Sequence, residues 1–348
     1  MSEALLPQTS NIIERHSKTL TGPTQLSFDI TNKCNFKCLH CFNRSSENFV
    51  MKDELTDEEV MEFVHDLVKI KPYNICFCGG EPLLRDKLIY KAASILSKAE
   101  INVSMVTNGS LMTKEKAIRL KESGALRIQV SLDGATKESY AKLRQSDSYD
   151  KAVNAIKYLK EVGINDLSVS FTPTSFNVHE FKDVFKIIYD LGAKELRVQP
   201  IMIIGRAKQH ISELEPSPLQ YRNLVKDIYE IQSQYGASYV EWGDPVDHLL
   251  RFRSVNSSLV TYLTIKANGG IACSPYIPLI IGNIKKYSLS KYWNAGLIRI
   301  WEAEIVQKMA ANIKCMQDFG KEQKDLPIVW FDEDIYIDMI DNNLIKGA

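Results

Sequence analysis

The chain has 348 residues, which is enough for one large domain or two of medium size. Hydrophobic residues make up 45% and charged residues 25% of it, an ordinary globular composition. The 43 basic and 43 acidic side chains cancel, so no global field favours nucleic acid or an anionic membrane as a partner.

No apolar run approaches the length of a membrane span, and residues 1–20 carry charges where a signal peptide needs an apolar core. We therefore expect a soluble, cytoplasmic protein. Seven cysteines in a chain of this length do not make a disulfide scaffold. In a reducing compartment, a tight cysteine cluster indicates metal or redox chemistry.

Six short apolar segments alternate with helical patterns in the first part of the chain. They are rich in β-branched residues and most lack strict polar alternation, as is typical of strands buried on both faces. Repeated strand–helix units predict a parallel sheet with right-handed crossovers. Because six units are fewer than the eight of a closed barrel, the predicted α/β fold is an open, partial (β/α)6 TIM-like barrel. The strand candidates are residues 25–30, 74–78, 102–107, 126–132, 167–171 and 196–201.

Helices are predicted between these strands. Thr56 and Glu59 form the pattern of a capping box ahead of an amphipathic segment. Thr113 is placed to begin another helix, and residues 149–162 predict a third that ends before Gly163.

The chain divides into four segments on this pattern. Residues 1–24 lead into the first strand, and residues 25–210 form the partial barrel. Residues 211–240 predict a polar helical connector. Residues 241–348 predict a smaller, irregular α+β extension with aromatic residues and glycines.

Three cysteines, Cys34, Cys38 and Cys41, lie within eight positions directly after the first strand. Loops at the carboxyl ends of strands carry the chemistry of α/β folds. A structural zinc site needs a fourth ligand, and His40 is adjacent to Cys41, too close in the chain to reach the same metal without strain. A four-iron cluster held by three thiolates would instead keep one iron open for another ligand.

Together with a second motif, this loop resembles the radical S-adenosylmethionine (SAM) enzymes. The motifs are CxxxCxxC at residues 34–41 and GGEP at residues 79–82, after the first and second strands. The resemblance extends over residues 25–210. It implies one [4Fe-4S] cluster on the three cysteines, with SAM bound to the open iron through its amino and carboxylate groups.

The resemblance also implies a SAM pocket at the ends of the first four strands. Gly79 and Gly80 would let the backbone approach a ligand closely, and Glu81 would orient an ammonium group. The implied cofactor-binding residues are His40, Gly79, Gly80, Glu81, Pro82, Thr107, Asn108, Ser131, Asp133 and Arg144.

Four of these residues have more specific expected roles. Ser131 and Asp133 suit the hydroxyls of a ribose, because strand positions two apart point the same way. Arg144 is expected to bind the SAM carboxylate, and His40 to lie against the adenine. The alternative for each is structural, since Asn-Gly and Asp-Gly are ordinary turn pairs and Arg144 could be a solvated helix residue.

The C-terminal segment resembles the SPASM extension of peptide-modifying radical SAM enzymes. Cys273 and Gly282 match that pattern roughly, but Tyr287 stands where a second cysteine is expected, and only Cys315 follows. Two cysteines cannot hold a four-iron cluster, so we expect the scaffold without auxiliary clusters. Cys273 is either a buried residue or a hydrogen donor to a substrate radical. Cys76 and Cys78 are expected to be packing residues.

The resemblance implies reductive cleavage of SAM to a 5′-deoxyadenosyl radical, which abstracts hydrogen from a substrate carbon. The expected substrate is a ribosomally made peptide that is crosslinked or epimerised. A small molecule, such as a cofactor precursor or sugar, is the alternative, and a non-catalytic iron–sulfur sensor or scaffold is a second. The expected partners are an electron donor of the flavodoxin or ferredoxin type and, given the short N-terminal segment, a separate leader-peptide-binding protein.

Overall fold

The computed structural model describes residues 20–48, 51–246, 249, 262–318 and 334–345. Most of the predicted lead segment, residues 1–24, lies outside the described residues. Within them, no helix has both the length and the apolar character needed to cross a membrane.

One open sheet organises the described part of the chain, in the order β11-β10-β9-β8-β1-β2-β3-β4-β5-β6-β7. The strands are β1 Gln25–Thr31, β2 Asn74–Gly79, β3 Asn102–Thr107, β4 Ala125–Ser131, β5 Asp166–Phe171, β6 Glu195–Val198, β7 Val240–Trp242, β8 Tyr262–Ile265, β9 Gly270–Ala272, β10 Leu279–Asn283 and β11 Ile335–Tyr336. Neighbouring strands from β1 to β7 pair in parallel. The six predicted strands and their order are confirmed, and the sheet is not closed.

Helices connect the parallel strands as predicted. They are α1 Asp57–Ile70, α2 Asp86–Lys98, α3 Lys114–Glu122, α4 Lys137–Arg144, α5 Tyr149–Glu161, α6 Phe181–Asp190, α7 Ala207–Leu214, α8 Pro218–Tyr235, α9 Leu289–Asn294 and α10 Glu304–Ala311. Shorter 3-10 helices span Pro82–Arg85, Val178–Glu180, Ala237–Tyr239, Leu297–Glu302 and Met316–Asp318. The capping box of α1 is present, with Thr56 Oγ1 accepting from the Glu59 amide at 3.2 Å and Glu59 Oε2 from the Thr56 amide at 2.8 Å.

The two faces of the sheet differ in chemistry. The outer face packs on the helices through buried apolar side chains. One example is Phe28, whose ring centroid lies 5.2 Å from that of Phe63 in α1. The opposite face, called the inner face below, carries small polar and charged residues. The sequence suggested strands buried on both faces, but several inner-face side chains are partly exposed. The inner-face residues of β1 to β6 include Ser27, Asp29, Cys76, Cys78, Ser104, Gln129, Ser131, Ser168, Ser170 and Arg197.

The C-terminal segment extends the same sheet. Strand β8 pairs in parallel with β1, and β9 and β10 follow it in antiparallel pairs. Helix α9 is fixed to α1 by Ser290, whose amide and hydroxyl donate to the Asp66 carboxylate at 3.0 and 2.7 Å. On the other side, α7 and α8 lead to the short strand β7, which adds to β6.

Candidate active site

The three cysteines of the predicted cluster loop follow β1 as free thiols. Cys34 and Cys38 are buried, and Cys41 is partly exposed. Burial raises the pKa of Cys34 to about 11 and that of Cys38 to about 12. A cation that binds these sulfurs therefore has to displace their protons.

The thiols are not arranged as ligands of a single ion. Within the described ranges, no group of three or more His, Cys, Asp or Glu side chains is placed to hold one metal ion. A zinc site needs ligands that converge on one point. Three thiols on one loop are a donor set that would suit a [4Fe-4S] cluster.

The glycine pair of the second motif packs directly against the cysteine loop. A Cβ on Gly79 would lie 2.2 Å from the Thr31 carbonyl oxygen, and one on Gly80 would lie 1.9 Å from that of Lys33. In the space that glycine leaves, the Gly80 amide donates to Thr31 at 2.8 Å and the Glu81 amide to Lys33 at 2.9 Å. The close approach is thus to the protein's own backbone.

Glu81 is fully buried beside the end of β3. Its Oε1 accepts from the Leu83 amide at 3.0 Å and the Thr107 hydroxyl at 2.8 Å, and its Oε2 accepts from the Asn108 amide at 2.8 Å. Burial raises the pKa of the carboxyl, and these hydrogen bonds oppose the shift. Oε2 accepts one hydrogen bond here and retains a second lone pair for another donor. Pro82 begins the 3-10 helix that Glu81 caps.

Asn108 connects this carboxylate to the cysteine loop. Its side-chain amide lies 3.9 Å from Cys34 Sγ and donates to Asn35 Oδ1 at 3.0 Å. The structure therefore brings the predicted residues at the ends of β2 and β3 together around the first cysteine.

Asp133 and Arg144 form a buried ion pair at the end of β4. Arg144 Nε and Nη2 donate to Asp133 Oδ2 at 2.7 and 2.6 Å, while Oδ1 accepts from the Thr172 amide at 2.8 Å. Burial alone would lower the pKa of Arg144, but the charge of Asp133 outweighs it and raises that pKa. The sequence predicted separate ligand contacts for these two residues; it did not predict their pairing. Asn177 also donates to the Asp133 carbonyl, at 2.9 Å.

His40 lies against the same pair. Its Nε2 is 3.5 Å from Asp133 Oδ2, and burial lowers its pKa to about 4, so the ring is neutral near pH 7. Its buried Nδ1 has no hydrogen-bond partner among the described residues. An orphaned buried nitrogen is costly unless another group pairs with it. Ser131 lies nearby on β4, with its hydroxyl accepting from Ser170 at 3.2 Å.

Sequence reasoning missed Arg206, which follows β6 and is buried against the cysteine loop. Its guanidinium donates to the carbonyls of Cys38 and Ser45, both at 2.7 Å, and of Arg44 at 2.9 Å. Its amide donates to the Cys41 carbonyl at 2.9 Å. The only sequence signal was the Gly-Arg pair at 205–206, where the strand–helix rhythm breaks.

The remaining cysteines separate by environment. Cys273 follows β9, is 1% exposed and packs in the apolar core. Cys315 is exposed. Cys76 and Cys78, expected to be packing residues, lie on the inner face of β2 and are partly exposed.

An open parallel barrel with a three-cysteine loop after β1 and a buried carboxylate after β2 defines a class of enzyme that holds an iron–sulfur cluster beside a bound nucleoside. Residues 28–188 match the Radical SAM superfamily. The match covers a little under half of the chain, which over that span is similar to radical SAM enzymes, peptide maturases among them; this similarity implies a [4Fe-4S] cluster and SAM as cofactors.

Two relatives illustrate the breadth of this family. The AdoMet-dependent heme synthase of Methanosarcina barkeri is 25% identical over 302 residues, which cover 80% of this chain and 84% of that protein. The mycofactocin maturase MftC of Mycolicibacterium smegmatis is 28% identical over 213 residues, which cover 61% of this chain and 53% of that protein. The chain thus matches about half the length of that maturase.

Solved structures share the fold at low sequence identity. Streptococcus suis SuiB bound to S-adenosylmethionine has a TM-score of 0.65 at 15% identity, over 83% of this chain and 69% of that chain. The anSMEcpe structure with bound AdoMet has a TM-score of 0.62 at 20% identity, over 80% of this chain and 83% of that chain.

Proposed function

We propose that this chain is a radical SAM enzyme that matures a ribosomally made peptide, by abstracting hydrogen from one of its carbons in a crosslinking or epimerisation reaction. The observation that carries the proposal is the similarity to the mycofactocin maturase over 61% of this chain. A further support is that a structure with this fold, SuiB, is known bound to its precursor peptide SuiA.

The residues at the carboxyl ends of the strands are assigned to the two cofactors in this proposal. Cys34, Cys38 and Cys41 hold the cluster as thiolates. The free lone pair of Glu81 Oε2 accepts from the ammonium group of SAM, and His40 Nδ1 receives a hydrogen bond from the nucleoside. Bound together, the cofactors supply a 5′-deoxyadenosyl radical when one electron cleaves the C5′–S bond of SAM.

Asp133 and Arg144 act as one unit in this assignment. Two Arg144 nitrogens are held by Asp133, which fixes the plane of the guanidinium. Its remaining nitrogen, Nη1, is directed by that geometry and can donate to the SAM carboxylate or to a ribose hydroxyl. Ser131, on the preceding strand, is the candidate for the other ribose contact.

The inner face supports a polar substrate that reaches the site from an open sheet. Serines, a carboxylate and an arginine line it, and among the described residues the two edge strands of the sheet, β7 and β11, do not pair with each other. A polymeric substrate can lie across such an open sheet, whereas a closed barrel would admit it only through the end.

Anaerobic reconstitution tests the radical chemistry. The wild-type protein, given SAM and a one-electron reductant, is expected to release 5′-deoxyadenosine. Cys34→Ala should abolish it, and Cys315→Ala, which removes an exposed cysteine outside the loop, should not. Equal product from both variants would contradict the assignment of the cluster loop. A sensor or scaffold would give no 5′-deoxyadenosine at all.

A peptide encoded beside this gene is the probe for the substrate class. We expect it to increase 5′-deoxyadenosine release and to emerge with an altered mass or an altered stereocentre. The electron donor is proposed to be a flavodoxin or ferredoxin-type protein. Turnover should continue when such a protein, in its reduced form, replaces the chemical reductant of the assay.

A small-molecule substrate is the second candidate. One observation favours it: the heme synthase relative matches a larger share of this chain than the maturase does, 80% against 61%. A low-molecular-weight cell fraction that stimulates 5′-deoxyadenosine release, where the neighbouring peptide does not, would select this alternative.

A further inference from the structure

Two thiols outside the cysteine loop face the inside of the barrel. Cys76 and Cys78 alternate along β2 with Ile75 and Phe77, which are fully buried on the outer face. The two cysteines are partly exposed, although β2 lies in the middle of the sheet between β1 and β3. Their exposure is therefore toward the inner face, where the proposed substrate would lie.

The two sulfurs touch each other. Cys78 Sγ donates to Cys76 Sγ at 3.4 Å, and the Ser27 hydroxyl of β1 donates to Cys78 Sγ at 3.3 Å. The hydrogen bond from Cys78 is the main cause that lowers the pKa of Cys76, and the same contact raises the pKa of Cys78. In this contact Cys78 is the hydrogen-bond donor and Cys76 is the acceptor.

The pair lies directly beneath the proposed SAM pocket. Cys78 immediately precedes Gly79 at the end of β2, and its partner across the sheet is Asp29. Cys76 is two residues deeper, about 7 Å along the strand. Nothing in the described residues makes this a metal site, since no third His, Cys, Asp or Glu is placed to complete one.

We propose that Cys76 and Cys78 are a thiol pair that delivers a hydrogen atom to the substrate radical. The S–H bond of Cys78 breaks and a C–H bond forms on the substrate, which leaves a sulfur radical. Cys76 bonds to that sulfur, and its proton goes to water. The remaining electron leaves to a one-electron carrier of the flavodoxin or ferredoxin class, so the pair ends as a disulfide that an external dithiol reduces.

This role rests on the proposed function, because it requires a carbon radical in the barrel. It differs from the hydrogen-donor role considered for Cys273, which is 1% exposed in the apolar core. Neighbouring strand positions of the same face are near the upper limit of the Cα separation that a disulfide spans. A Cys76–Cys78 disulfide would be strained and easily reduced, as a returning donor requires.

The test uses reconstituted enzyme with SAM and dithionite in D2O, without added thiol or substrate. Without substrate, the 5′-deoxyadenosyl radical takes the place of the substrate radical as the species that the thiol pair would quench. Thiol and phenol hydrogens exchange with D2O and are weak enough to transfer to a carbon radical, so deuterium in 5′-deoxyadenosine reports a cysteine or tyrosine donor, and the cysteine variants tell the two apart. We expect the wild type and Cys315→Ser to give deuterated product, and Cys76→Ser/Cys78→Ser to lose most of the deuterium.

Each outcome decides the question. Deuterium that persists in the double variant overturns the proposal, as does a wild type that makes only undeuterated product. Loss of deuterium in Cys273→Ala alone would assign the donor to Cys273 instead. If the wild type makes no 5′-deoxyadenosine, the proposed function itself fails and the thiol pair has no radical to quench.

A second measurement needs neither cofactor nor turnover. Diamide should oxidise the protein without its cluster so that the tryptic peptide containing Cys76 and Cys78 becomes lighter by two hydrogen atoms. Each single serine variant should prevent this change and leave a thiol open to alkylation. A wild-type peptide that stays reduced would rule out the disulfide-forming step.

Discussion

Replacing Arg206 with methionine should loosen the cysteine loop without removing any cysteine. Methionine keeps an apolar stem of similar length but removes every donor of the guanidinium. The loop would lose three hydrogen bonds to the carbonyls of Cys38, Arg44 and Ser45. The amide bond from residue 206 to Cys41 remains available.

The size of the effect follows from the burial of the acceptors. The bonds to Cys38 and Ser45 are buried, and the bond to Arg44 is only partly so. A buried acceptor left without a donor costs about 1–3 kcal/mol. The Ser45 carbonyl loses its described donor, whereas the Cys38 carbonyl keeps a hydrogen bond from the Cys41 amide at 3.3 Å, so the expected loss is about 2 kcal/mol. The loss is local, because these bonds serve one loop.

Hydrogen exchange of the cluster-free protein is the assay. The amide of Leu39 donates to the Leu143 carbonyl at 2.9 Å and reports whether the loop is closed. A local loss of about 2 kcal/mol corresponds to roughly 30-fold faster exchange. Iron bound after reconstitution should fall in parallel. Arg206→Lys should give an intermediate rate, since an ammonium cannot reproduce the fork of donors.

Arg299→Met is the matched control, because it makes the same substitution at an arginine that pairs locally, with Glu302 three residues further along the chain. Such pairs contribute less than about 1 kcal/mol, and this one is far from the loop in sequence. Unchanged exchange at Leu39 in Arg206→Met would refute the view that Arg206 holds the loop.

Three further predictions concern other parts of the molecule. Gly80→Ala should prevent cluster assembly because its Cβ would meet the Lys33 carbonyl oxygen at 1.9 Å, whereas Gly243→Ala, with its nearest contact at 3.8 Å, should assemble normally. Burial, with help from Glu241, raises the pKa of Glu195 to about 7, so its contribution to stability is lost as the pH rises through that value. The thermal midpoint should therefore fall between about pH 5 and pH 7, from the unfolded to the folded pKa of Glu195, and less so in Glu195→Gln. Reconstituted protein should bind about four irons per chain; about eight would reveal an auxiliary cluster.

Much of the fold was predictable because strand and helix signals repeat regularly up to β6. The predicted strands agree with the structure to within one or two residues, except that β6 ends at Val198. Pro200, which the prediction included, lacks the N–H that a strand ladder needs. Strands β7 and β8 have three and four residues, too few for a periodic pattern to stand out.

The polar inner face was hidden for a different reason. Serine and cysteine are small and only weakly polar, so Ser27, Cys76 and Ser104 barely interrupt an apolar run on a hydropathy scale. The sequence therefore looked like strands buried on both faces. The side chains point inward because of strand alternation; Cys76 is partly exposed there, while Ser27 and Ser104 are buried.

The candidate site was predictable in its residue types and not in its pairings. Motif spacing located the cysteines, the glycine pair and Glu81. The bond between Arg144 and Asp133, in contrast, depends on how α4 returns to the end of β4, which no local pattern encodes. Arg206 is more than 160 residues from the carbonyls that it binds.

The conformation of the cysteine loop therefore depends on tertiary contacts and not on its own sequence motif alone. The backbone at Gly80 and Glu81 pairs with one end of it, the Leu143 carbonyl accepts from Leu39 in its middle, and Arg206 binds its far side. These contacts come from the ends of β2, α4 and β6, so the loop takes its shape only when most of the barrel has formed. The segment from β6 to Arg206 also continues the inner-face strand that carries Arg197. Arg206, which binds the loop, is thus joined to the inner-face residue Arg197 by one short stretch of chain.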